Sequence, residues 1–141
     1  YGRFALAREA VVHFRPRGTL KAFFKQYYQY ARGDGKADLW RKRHAIRYLT
    51  YLVLGPLLVI LALIHSPWWW LALVAGLAVY TYTPYRRLWP MLAPFGIVQR
   101  VGAMILVPII RVVGDLAKMI GYPVGVVWRL RNLHRPEVRW R

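Results

Sequence analysis

The chain has 141 residues, with 22 Lys and Arg against 5 Asp and Glu, 57% hydrophobic residues and no cysteine. This apolar content excludes a disordered tail, and the lack of thiols excludes a disulfide scaffold, a zinc ribbon and a cysteine nucleophile. A formal charge of +17 is unusual for a free globular domain, and the length allows at most one small domain. Five Arg and His residues interrupt every apolar run between Tyr1 and Arg17, so no signal peptide is read there, and a first residue of Tyr is expected of a piece of a longer or processed polypeptide.

In chain order, residues 3 to 14 alternate as a short strand or two would, through Phe4, Leu6, Val11, Val12 and Phe14, and Arg15-Pro16-Arg17-Gly18 makes a turn. Thr19 is placed to cap a helix beginning at Leu20. Leu20, Phe23, Phe24, Tyr27, Tyr28 and Ala31 then recur at helical spacing, with Lys21, Lys25 and Arg32 elsewhere around the axis. Gln26, Gln29 and Tyr30 fall at i, i+3 and i+4 and therefore share a face. Gly33-Asp34-Gly35 is expected to end this helix. Aromatic residues with interleaved cations just before an apolar run describe a helix lying in a membrane interface.

Charge position is the most informative feature. Residues 1 to 47 carry 12 Lys and Arg with 3 acids, residues 86 to 141 carry 10 with 2, and the 38 positions from Tyr48 to Tyr85 carry no charged residue. A helix needs about 20 apolar residues to cross roughly 30 Å of hydrocarbon, so this stretch predicts two crossings, Ala45 to Ile64 and Pro67 to Thr83, joined at His65-Ser66-Pro67. Trp68, Trp69 and Trp70 at one end, and Tyr80, Tyr82 and Tyr85 at the other, suit the two headgroup layers. Gly55-Pro56 predicts a kink. A soluble helical hairpin would show polar residues every third or fourth position, and Leu57 to Ile64 shows none. Basic flanks and an uncharged turn place both termini in the cytoplasm and the protein in the cell inner membrane. His65 is read as a turn residue in preference to a ligand for a chlorophyll or haem.

Met91 to Ile110 is again mostly apolar but holds Gln99-Arg100, Pro94, Gly96, Gly102 and Pro108. A central Arg costs about 2.5–3.5 kcal/mol on insertion, and a third span would strand the basic tail on the far side. Residues 86 to 128 are therefore expected to form interfacial or re-entrant helices punctuated at Gly121-Tyr122-Pro123, with Arg111, Asp115 and Lys118 forming local ion pairs. The expected fold is mainly α and integral to the membrane. It comprises a short β remnant at residues 1–18, an interfacial amphipathic helix and basic linker at 19–44, a transmembrane helical hairpin at 45–85, interfacial or re-entrant helices at 86–128 and a basic tail at 129–141.

Three runs carry a family resemblance: Gly2 to Phe4, Ala10-Val11-Val12-His13-Phe14-Arg15-Pro16-Arg17-Gly18-Thr19-Leu20, and Gln26-Tyr27-Tyr28-Gln29-Tyr30-Ala31-Arg32-Gly33-Asp34-Gly35. Together they resemble the end of the catalytic domain of membrane-bound family 2 glycosyltransferases, where a strand with a small-Val-x-His core leads to an interfacial helix bearing a Gln-x-x-Arg-Trp motif. Gln26, Gln29 and Tyr30 occupy the three motif places, and only the Gln matches the stricter processive pattern. Gly114 to Gly125 also looks like the ending of some non-processive members. The resemblance implies transfer of a sugar from a nucleotide-sugar donor to a lipid-linked or polysaccharide acceptor in the cell envelope, with Mg²⁺ or Mn²⁺ holding the diphosphate. It further implies donor or acceptor contact by Gln26, Gln29 and Tyr30, and His13 as a metal ligand. The family's Asp-x-Asp and Glu-Asp pairs are not among Glu9, Asp34 and Asp38, so these 141 residues alone are expected to be inactive.

Plainer readings stand beside these. His13 also suits a hydrogen-bonded structural role, and Gln26, Gln29 and Tyr30 suit ordinary polar decoration. Arg41, Lys42, Arg43 and Arg47 are expected at anionic lipid headgroups. Two basic flanks around an apolar hairpin, without a recognised nucleic-acid module, argue against nucleic acid as a partner. The competing function is a non-enzymatic accessory or structural subunit of a multisubunit photosynthetic or respiratory membrane complex, which needs only the hairpin, an aromatic surface and basic anchors.

Overall fold

The computed structural model describes residues 9–11, 13 and 16–135. These residues are mainly helical: α1 (Leu20–Lys36), α2 (Arg41–Tyr48) continuing through a π-helical stretch, Leu49–Leu54, into α3 (Gly55–Ile64), then α4 (Trp69–Leu88), a 3₁₀ turn at Trp89–Leu92, and α5 (Ile97–Arg131). No strand occurs among the described residues, and the strand expected at 3–14 lies largely outside them.

Thr19 caps α1 as its position predicts, its side chain accepting the Ala22 N–H at 3.2 Å. The helix does not stop at Gly33-Asp34-Gly35 but runs to Lys36. The cause lies in α5, where Gly114, Ala117, Gly121 and Gly125 are all buried, facing the buried Ala31 and Gly35 of α1. Phe23 lies against Gly114, Tyr28 against Gly121, and Arg32 and Gly35 against Gly125, so the two helices run in the same direction. A methyl group at Gly121 would overlap the Tyr28 carbonyl oxygen, one at Gly125 the Arg32 carbonyl oxygen, and one at Gly35 the Tyr122 carbonyl oxygen. Only small residues every fourth position let two helix backbones approach this closely. The seam is bordered by Lys36, whose ammonium sits 4.3 Å from the Trp128 ring centroid.

From Arg41 to Ile64 the chain is one continuous helical rod, and among the described residues it is the one helix long and apolar enough to cross a membrane. The kink expected at Gly55-Pro56 takes the form of a change in hydrogen-bond register. Pro56 lacks an N–H and its ring crowds the carbonyl four residues back, and the preceding turn widens so that the Gly55 N–H reaches the Thr50 carbonyl, five residues back. The rod folds back at His65–Trp68 onto α4, and Tyr51 meets Tyr80 with hydroxyls 2.8 Å apart.

The second expected segment, Pro67 to Thr83, is helical from Trp69 and extends past Pro84 to Leu88. The break expected at Gly121-Tyr122-Pro123 does not form, because α5 continues through both Pro108 and Pro123. Each proline deprives the carbonyl four residues earlier of its donor, and a tyrosine replaces it. The Tyr48 hydroxyl donates to the Met119 carbonyl at 2.6 Å, and the Tyr85 hydroxyl to the Met104 carbonyl at 2.9 Å. Arg100, whose charge counts against a third span, folds back so that its guanidinium donates to the carbonyls of Phe95 (2.7 Å) and Ala93 (2.9 Å). Gln99 accepts the Gly96 N–H at 3.2 Å and so helps to start the helix.

The seam and the tyrosine donors each make a prediction. Gly121→Ala or Gly125→Ala should separate α1 from α5, lowering the thermal midpoint of the detergent-solubilised protein by an amount matching over-packing, about 1–3 kcal/mol. Gly33→Ala, where an added methyl meets nothing within 4 Å, should be neutral or stabilising. Tyr48→Phe should cost about 1–3 kcal/mol by orphaning the Met119 carbonyl. It should cost far less in a Pro123→Ala background, where the backbone donor returns, and a double-mutant cycle on unfolding midpoints measures that coupling.

Candidate functional site at the foot of the hairpin

Where α1, the start of α2 and α5 converge, they enclose an open groove of about 510 Å³. α1 contributes Tyr27, Gln29, Tyr30, Gly33 and Asp34, the linker and α2 contribute Trp40, Arg43, His44 and Arg47, and α5 contributes Lys118. The α1–α5 seam therefore sets the groove's width. The linker sets its mouth: Asp38 and Trp40 have φ of 58° and 57°, a left-handed conformation that is costly for a residue as bulky as Trp. The Arg43 guanidinium stacks on the Trp40 ring at 4.1 Å, which holds the indole across the groove's edge.

Behind the groove runs a chain of polar contacts. His44, 3% exposed, lies flat on Tyr122 with ring centroids 3.8 Å apart, its Nε2 3.3 Å from Asp34 and its Nδ1 3.2 Å from Arg47. Arg47 Nε donates to Asp115 at 2.8 Å, and the other oxygen of Asp115 accepts from Tyr80 at 2.8 Å and from Tyr51 at 3.3 Å. A carboxylate in these apolar surroundings is tolerable only because it is paired and hydrogen-bonded on both oxygens. Asp115 does not form the expected local pair with Arg111, which sits over the Tyr80 ring at 4.3 Å, and its Lys118 contact is looser, at 3.8 Å. The stronger partner comes from 68 residues away because the α2 rod crosses α5 at this point.

The structure brings some of the sequence-derived candidates together. Gln29 and Tyr30 line the groove, while Gln26 donates to the Tyr30 hydroxyl at 2.7 Å and so orients it. His13 is exposed, and no group of three His, Cys, Asp or Glu residues stands together among the described residues. Of the four cations assigned to headgroups, Arg43 lines the groove, Arg47 is held by Asp115, Arg41 is held by Asp38, and Lys42 is exposed. Asp34, His44 and Lys118 join the site without being among the sequence-derived candidates. A partial sequence signal exists for His44 alone, since His44, Arg47 and Tyr51 at i, i+3 and i+7 form a polar stripe on an otherwise apolar rod.

Asp38 ties the linker to α2 through Arg41 and to α5 through Arg129. Hydrogen bonds from Arg41 and then Arg129, with the charges of both, hold its carboxyl down at about 2. A carboxyl depressed in the fold stabilises it above the unfolded value and loses that contribution as pH falls through the folded value. The clamp should therefore persist below pH 3.8 and open near pH 2. An NMR titration of the Asp38 carboxyl should show this midpoint, and Arg129→Gln should raise it.

Comparison with protein-family models, curated proteins and solved structures finds nothing that matches this chain.

Proposed function

We propose that the chain is the carboxy-terminal membrane part of a family 2-type glycosyltransferase, with the α2–α3 rod and α4 crossing the inner membrane as a hairpin and the groove at its cytoplasmic foot receiving the acceptor or donor. The observation that carries this reading is the groove itself, because two residues at the motif positions, Gln29 and Tyr30, stand on its wall and the third, Gln26, braces Tyr30. Aromatic rings beside amide and carboxylate groups suit sugar binding, and cations suit phosphate.

Three further features support the membrane placement. The hairpin leaves large apolar side chains unpartnered, including Leu63 at 71%, Ile64 at 82% and Val79 at 78% exposure, which a bilayer covers. Thr50 and Thr81 satisfy their hydroxyls on carbonyls of their own helix, at Ile46 and Leu77. α5 meets the hairpin through Tyr85, Tyr80, Tyr51, Tyr48 and His44 in turn, all at the basic end, as a helix lying along the interface would.

The carboxylates near the groove are committed to internal partners, Asp34 to His44, Asp38 to Arg41 and Arg129, and Asp115 to Arg47. On this reading the general base and the Mg²⁺ or Mn²⁺ ligands that glycosyl transfer needs come mainly from elsewhere in the full enzyme, with His13 as an adjunct, and the fragment alone does not turn over donor. Single cysteines at Ser66 and Arg135 should label from opposite sides of sealed vesicles. In the full enzyme, Gln29→Ala should cut transfer at least tenfold with membrane insertion intact. A scaffold subunit predicts the reverse, with Gln29→Ala harmless and Phe23→Ala disrupting assembly.

A further inference from the structure

His44 is gripped from two sides, and the two sides ask opposite things of its ring. It is buried where α1, α2 and α5 meet, just before the first predicted crossing. From α1, Asp34 stands 3.3 Å from Nε2, and from α2 itself Arg47 places Nη1 3.2 Å from Nδ1. From α5, Tyr122 lies flat on the ring and Lys118 adds a second positive charge nearby. An arginine keeps its protons and has no acceptor, so Nδ1 is the bare nitrogen and Nε2 the one that donates, to Asp34. The neighbours thus select a single neutral tautomer. A second proton has only Nδ1 to go to, and there it sets one N–H against another, with two positive charges in contact.

We propose that His44 is a proton-operated latch on the groove: neutral, it ties Asp34 of α1 to Arg47 of the rod, and a proton taken up at Nδ1 releases the Nη1 edge of Arg47 into the groove. Asp34 balances the imidazolium that forms, while Arg47 and Lys118 oppose it. The release is local, because the Arg47 Nε keeps its bond to Asp115 at 2.8 Å and Asp115 keeps Tyr80. Arg47 and Asp34 both line the groove. Arg43, Arg47 and Lys118 against Asp34 and Asp115 leave one net positive charge with His44 neutral, and two with it protonated. The groove's charge and its free N–H donors therefore follow pH in the range where histidine titrates, about 5 to 8. What the groove binds does not enter this reasoning, so the latch stands apart from the transferase reading.

The test is a ¹⁵N NMR titration of the protein in nanodiscs that follows the His44 ring nitrogens and the Arg47 guanidinium together. Above neutral pH the ring should show a bare Nδ1 and a protonated Nε2, and on acidification the ring and Arg47 Nη1 should move with one shared midpoint. Arg47→Gln should raise the ring's midpoint by about one pH unit by removing the opposing charge, and Asp34→Asn should lower it by about as much. His44→Asn offers an oxygen near the place of Nδ1, so Arg47 should then show no midpoint in the histidine range. Lys25→Gln, an exposed cation outside the groove, should change nothing. A proton on Nδ1 above neutral pH would overturn the tautomer and with it the latch. A ring that titrates while Arg47 stays still would overturn the coupling, as would an Arg47 midpoint that persists in His44→Asn with wild-type circular dichroism. If His44→Asn does not fold, the paired variants decide: shifts of the same sign, or none, overturn the proposal.

Discussion

The backbone contact between α1 and α5 is the constraint on which the rest depends. Gly35, Gly121 and Gly125 approach so closely that each would drive a methyl group into the opposing backbone. Such a contact gains little from large side chains and depends on van der Waals fit along the helix axes. It fixes the rotation of both helices, because a turn of either one would carry a side chain into the space the glycines leave open. Once rotation is fixed, Lys118 must face Tyr27, Trp128 must lie under Lys36, and the groove acquires Lys118 as its lining residue from α5.

A second layer of constraint is polar and lies where the seam meets the hairpin. Asp115 draws together Arg47, Tyr80 and Tyr51, so a single carboxylate couples α5 to both limbs of the hairpin. Tyr48 and Tyr85 reinforce the join by donating to carbonyls that prolines have vacated. The prolines thus serve as attachment points: each opens an acceptor on the outside of α5, and the tyrosine that fills it comes from another helix.

The composition made the hairpin region legible because an uncharged stretch of 38 residues is a strong and local signal. The cap at Thr19 and the shared face of Gln26 and Tyr30 were equally readable, since both depend on contacts within one or two turns. What the sequence concealed was long-range. Gly33-Asp34-Gly35 and Gly121-Tyr122-Pro123 carry the local chemistry of helix ends, yet both lie inside helices because the glycines serve the seam and Tyr48 compensates the proline. Asp115 likewise has Arg111 and Lys118 at helical spacing and takes its closest cation from α2. Of the groove's lining, Gln29 and Tyr30 were visible as motif residues of α1, and Arg43 and Arg47 as cations before the apolar run. His44 and Lys118 come from α2 and α5, whose proximity to α1 no local pattern encodes.

The parallel seam also bears on how the chain is made. Tyr28 and Gly121 are joined by a contact that spans most of the described length, with the hairpin lying between them in sequence. During synthesis α1 emerges first and finds no partner until the last part of α5 follows, with the whole hairpin made in between. Translation order therefore leaves α1 without its partner until α5 is complete, and makes closure of the groove the final step of assembly.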